Sequence, residues 1–137
     1  MILSECVRQI REGAQLDSNL EAFRVARTSL TMLADCLPGP LTEEIAEELP
    51  PALAGDVKRV TWQPGERLTL SELVGRIASR EEVTEAVARH HLGAVMEFLQ
   101  EVLHEKLMSK VLCELPGEIG ELVTADRSEP RMHQAAT

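Results

Sequence analysis

The feature that most limits this chain is that it repeats itself. Laid against itself 67 positions along, Leu3-Ser4-Glu5-Cys6-Val7-Arg8-Gln9-Ile10 falls on Leu70-Ser71-Glu72-Leu73-Val74-Gly75-Arg76-Ile77, with Leu, Ser, Glu, Val and Ile identical. At 66 positions, Leu33 falls on Leu99, Leu37 on Leu103, and Leu41 on Leu107. Glu48-Leu49-Pro50 likewise falls on Glu114-Leu115-Pro116, and Val57 on Val123. The matches occupy the apolar positions of successive segments in one order. An internal duplication accounts for this, and so long a period makes a doublet, not a solenoid array. The fold must therefore be one that can be built twice and packed against itself.

Each copy reads as helices. Behind Ser4, the residues Cys6, Val7 and Ile10 stand at helical spacing, and Gly13 is expected to end that helix. Asp17 or Ser18 is expected to cap a long helix, Ser18 with Glu21 three residues on as a capping box. Its apolar stripe is Leu20, Phe23, Ala26, Leu30, Leu33 and Leu37, and Pro38-Gly39-Pro40 stops it. A third helix carries Leu41, Ile45 and Leu49. Pro50 and Pro51 end it and open a short fourth helix, because a first turn has no use for proline's missing N–H. Leu53 and Val57 are expected to point inward.

The second copy follows the same plan. Ser71 heads a helix with Leu73, Val74 and Ile77. Ser79, with Glu82 three residues on, is expected to cap a long helix running to about Leu103. The next helix carries Leu107, Val111 and Leu115, and Pro116 opens a last turn-rich segment. No stretch sustains the alternation of a strand, and proline and glycine in segment 59–70 argue for an ordered linker. The expected architecture is all-α, a single helical bundle built from two tandem pseudo-symmetric helical repeats. Repeat one spans 3–57, the linker 58–69 and repeat two 70–123, together one helical domain over 1–123. Segment 124–137 is polar without an apolar period and is expected to be a disordered tail.

Composition narrows the function. Phe23, Trp62 and Phe98 are the only aromatic residues, so the core must be aliphatic and base stacking has almost no material. A formal net charge of −9 repels phosphate backbones and anionic headgroups, so neither nucleic acid nor a membrane is an expected partner. Cys6, Cys36 and Cys113 are too few and too widely spaced for a disulfide framework or a zinc site, and are expected to be buried thiols. No basic leader and no run of about 20 apolar residues occurs, so the expected location is cytoplasmic.

Three features together resemble a bacterial domain-of-unknown-function family, the one numbered twenty-two sixty-seven. They are the helical repeat, the Leu-Pro stop near the end of each copy (Leu49-Pro50 and Leu115-Pro116), and Trp62-Gln63-Pro64 between the copies. The resemblance covers roughly 3–123. It departs in the linker, where the family is richer in aromatics and only Trp62 stands here. It implies a compact helical bundle; it implies no known reaction and carries over no catalytic residue. Trp62 and Pro64 are expected to be structural, the indole pinning the linker to the bundle.

Two further features bear on sites. Glu101-Val102-Leu103-His104 spells the Glu-x-x-His unit of di-iron bundles, with Glu97 one turn earlier. Such a centre needs a matching unit on facing helices, and the first copy has no histidine. No metal or other cofactor is therefore expected, with Glu97, Glu101 and His104 the best candidates if one binds. His90 and His91 point about 100° apart on a helix, so one is expected at the edge of the buried face and the other in solvent. The long second-copy helix is apolar on Leu92, Met96, Leu99 and Leu103, and also on Val87, Val95, Phe98 and Val102. That breadth exceeds one-sided packing. Central placement in the bundle is the preferred explanation, and a partner interface at Val87, Val95, Phe98 and Val102 is the other. The expected function is a non-enzymatic module for protein interaction or self-assembly, its partner another protein or a second copy. The alternative is a small-ligand or metal-binding sensor.

Overall fold

The computed structural model describes residues 2–57, 67–120 and 122. Seven helices form among them: α1 (Leu3–Ala14), α2 (Asn19–Asp35), α3 (Gly39–Glu48), α4 (Pro51–Val57), α5 (Leu70–Glu81), α6 (Glu85–Val102) and α7 (Glu105–Glu114). The protein is an all-helical single bundle, as the apolar spacing requires. The duplication is visible in where the elements start. Leu3 and Leu70 open α1 and α5, 67 apart; Asn19 and Glu85 open α2 and α6, and Gly39 and Glu105 open α3 and α7, each 66 apart. Trp62, Pro64 and segment 124–137 lie outside the described residues.

Helix ends show the same plan, with corrections of detail. α1 and α5 both stop on a left-handed residue that is not glycine, Gln15 at φ 58° and Glu82 at φ 60°. The Gln15 N–H returns to the Arg11 and Glu12 carbonyls, and the Glu82 N–H to that of Ala78. Gly13 is thus inside α1 and not its stop. A Cβ there would lie 3.5 Å from the Ala94 Cβ, so this glycine marks the close approach of α1 to α6. Ser18 caps α2 by accepting the Glu21 N–H at 3.1 Å, but the Glu21 carboxylate reaches one residue past the cap, to the Asp17 N–H. Ser79 lies within α5, which runs on to Glu81, and Thr84 caps α6 instead. Ser71 sits in the first turn of α5, behind a complete capping box of Thr69 and Glu72.

The Leu-Pro stops work alike. The Leu53 N–H donates to the Pro50 carbonyl and the Ile119 N–H to the Pro116 carbonyl, both at 2.9 Å. Leu53, Val57 and Ile119 are all buried by these turns.

Packing crosses between the copies. α1 lies on α2 and α5 on α6, but α1 also lies on α6 and α5 on α2. The long helices α2 and α6 touch, as do α3 and α7. This is a pseudo-twofold arrangement with one shared aliphatic core. α6 is central: Leu92, Val95, Met96, Phe98 and Leu99 are all buried. α2 is nearly as enclosed, which its stripe did not foretell. Leu20 is 61% exposed and Phe23 only partly covered, whereas Ala22, Ala26, Ser29 and Ala34 are buried. Small side chains let neighbouring helices come close, so the second buried face of α2 is written in alanine and serine.

Cys6 and Cys36 are buried, and burial pushes the Cys6 thiol pKa up. Cys113 is exposed, contrary to expectation, because it falls on the side of α7 away from buried Leu107, Met108 and Val111. Among the described residues no helix is long and apolar enough to cross a membrane.

Candidate functional site: a polar cleft between the copies

The expected sites disperse when placed in the fold. Val95 and Phe98 are 0% and 1% exposed, so the chain's own core takes them and they offer a partner no surface. Val102 is half-buried against that core, and Val87 is exposed. Central placement explains the breadth of α6. Glu97, Glu101 and His104 do not form a ligand stripe either. α6 ends at Val102, so His104 leaves the helix that carries the two glutamates. It is instead the N-cap of α7: its Nδ1 accepts the Leu107 N–H at 3.3 Å, while its own backbone N–H donates to Glu48 at the end of α3. Among the described residues no group of three or more His, Cys, Asp and Glu side chains is placed to hold a metal ion.

A cleft of about 570 Å³ opens where the copies meet. α2 supplies Glu21, Arg24, Val25, Arg27, Thr28 and Thr31; α4 supplies Asp56; the end of α5 supplies Arg80 and Glu81; and α6 supplies His91. Leu16 and Val83, at equivalent places after α1 and α5, complete the wall. The stripe on α2 arises from steps of three and four residues, which put Arg24, Arg27, Thr28 and Thr31 on one face.

Two pairs shape this cleft. Arg27 and Asp56 meet through both carboxylate oxygens at 3.1–3.3 Å, tying α2 to α4, and the same guanidinium lies over the Phe23 ring. Deeper in, the His91 Nδ1 stands 2.8 Å from Glu81 Oε1, and both side chains are only 9% exposed. An ionised carboxylate only accepts, so Nδ1 carries the proton and donates, which fixes the ring orientation. Glu81 is the last residue of α5, the negative end of the helix dipole, and the imidazole offsets that unfavourable placement. Its second oxygen, Oε2, is buried without a hydrogen-bond partner.

The other copy shows that the fold does not need this pair. By the same offsets, Glu81 corresponds to Ala14 and His91 to Val25, both buried and apolar. Arg80 corresponds to Gly13, and Thr28 to Ala94, the two residues at the close approach of α1 and α6. What is sealed by small apolar residues at one end is polar and open at the other. Sequence reasoning placed one of His90 and His91 at the buried edge, which proves to be His91, but missed Arg24, Arg80 and Glu81. The signal was present in the self-comparison, in a Glu over an Ala and a His over a Val.

A family model described as "Uncharacterized conserved protein (DUF2267)" matches residues 4–122. No curated protein gave a match.

Proposed function

Because the chain belongs to the DUF2267 family of uncharacterized conserved proteins, which brings no reaction with it, we propose from the cleft itself that this is a non-enzymatic binding module taking a small polar ligand between its two copies. One observation carries this reading: a buried Glu81–His91 pair stands where the sister copy makes do with Ala14 and Val25. Burying a carboxylate with its hydrogen-bond partner is often no better for stability than packing apolar residues in their place, so the pair calls for another use. The volume falls in the range of small-molecule sites. Thr28 and Thr31 line the cleft, yet neither hydroxyl is hydrogen-bonded to the His91 ring, which favours binding over nucleophilic chemistry. Titration of the full chain with a set of small polar compounds, followed by amide NMR, tests the reading. Shifts should cluster on Arg24, Thr28, Glu81 and His91; hits scattered over the surface, or none at all, sink it.

A second reading, docking with a protein partner or a second copy, rests on a different patch. Ile2 and Leu20 are 62% and 61% exposed beside an apolar groove lined by Leu3, Val7 and Phe23. Light scattering over a range of concentrations tests self-association there, and a monomer throughout removes it.

A further inference from the structure

Three arginines and three carboxylates line the cleft, so its formal charge is balanced in a chain of net charge −9. The balance is not one of closed pairs. Arg27 is occupied by Asp56 through both oxygens, and the Glu21 carboxylate accepts the Asp17 N–H beside the cap of α2. Arg24 and Arg80 have no carboxylate partner among the described residues. Glu81 gives one oxygen to His91 and leaves the other buried and unmatched. A buried acceptor without a donor is costly, and a natural fold normally supplies one. The cleft therefore offers two open cationic groups and, buried in its wall, one unmatched acceptor, from both copies.

We propose that this cleft takes a compact amphoteric molecule. Its carboxylate or phosphate group is received by Arg24 and Arg80, and an adjacent N–H or O–H donor is received by Glu81 Oε2. The inference rests on the cleft being the binding site. Guanidinium groups suit planar carboxylate and phosphate oxygens, with several N–H donors in a fixed fork. A multiply charged anion fits less well. The acidic surface repels it over the Debye length, and Glu21, Asp56 and Glu81 face it inside. A ligand that carries its own positive or donor group beside the anion meets both halves of the lining. The Thr28 and Thr31 hydroxyls, able to donate or accept, sit between these requirements.

Four probes separate the requirements on the full chain: L-serine, phosphoethanolamine, acetate and ethanolamine, each followed by amide NMR. L-Serine or phosphoethanolamine should shift the signals of Arg24, Thr28, Arg80, Glu81 and His91 together, with a Kd about tenfold or more below those of acetate and ethanolamine. Whichever of the two binds tighter names the anionic group as carboxylate or phosphate. Arg24→Gln and Arg80→Gln, both on the exposed rim and so expected to keep the native spectrum, should each weaken that probe about tenfold. Glu81→Gln should bring its affinity down to that of acetate. Ethanolamine or acetate binding in the cleft as tightly as the amphoteric probes overturns the ligand class and leaves the cleft standing as a site. Unshifted cleft signals with all four probes at about 50 mM, far above a millimolar Kd, overturn the proposal outright. Should a wider compound set still map to the cleft in that case, the binding reading survives without this class.

Discussion

The ends of α1 and α5 occupy equivalent positions and do opposite things. Gly13 and Ala14 let α1 close down on Ala94 of α6. Arg80 and Glu81 stand across a polar cleft from α2, and Glu81 meets His91 of α6 there. Both ends terminate in the same left-handed turn, at Gln15 and Glu82, and both helices rest on the long helix of the other copy. Backbone and topology are therefore held constant while the side chains change. The difference teaches that the polar end is an addition to the fold and not one of its supports.

Four predictions press on that contrast. The largest effect is expected from His91→Val, which copies one half of the apolar end and strands the Glu81 carboxylate. Equilibrium denaturation should show a loss of about 3 kcal/mol. Next comes Glu81→Ala with His91→Val, which copies the apolar end in full. It should recover most of that loss and finish within about 1 kcal/mol of the parent protein. A double variant as unstable as the single one would show that the pair is a structural support after all. Third, Gln15→Gly and Glu82→Gly each relieve a left-handed residue and should stabilise by roughly 0.5–1 kcal/mol, by similar amounts if the two turns are equivalent. The smallest effect is expected from Gly13→Ala. Its new Cβ meets Ala94 at 3.5 Å, an ordinary contact, so thermal unfolding should shift upward by the equivalent of about 0.5 kcal/mol.

The helices and their pairing were legible because the repeated apolar residues carry most of the buried area, and burial at helical spacing is what makes such helices form. Leu-Pro stops were legible for a local reason, the missing proline N–H. Boundaries were less so. Gly13 and Ser79 have the chemistry of a stop and a cap, yet tertiary packing carries both helices past them. The enclosure of α2 was hidden because Ala22, Ser29 and Ala34, outside the expected stripe, bury little area each while permitting close approach. The cleft was hidden for a different reason. Arg24, Asp56, Arg80 and His91 lie on four helices far apart in sequence, and each alone looks like an ordinary surface or edge residue. Attention to the apolar breadth of α6 pointed toward Val95 and Phe98, which the core consumes.

The crossing of α1 onto α6 and α5 onto α2 has one more consequence. Each copy covers only part of its own long helix, so a single copy could bury the rest only by pairing with another about a twofold axis. In such a homodimer every substitution appears twice, and a buried Glu or an arginine at a rim would be imposed on both ends at once. Joining the copies in one chain lifts that constraint. One end can stay Gly13, Ala14 and Ala94 and keep the bundle together, while the other is free to hold Arg80, Glu81 and His91.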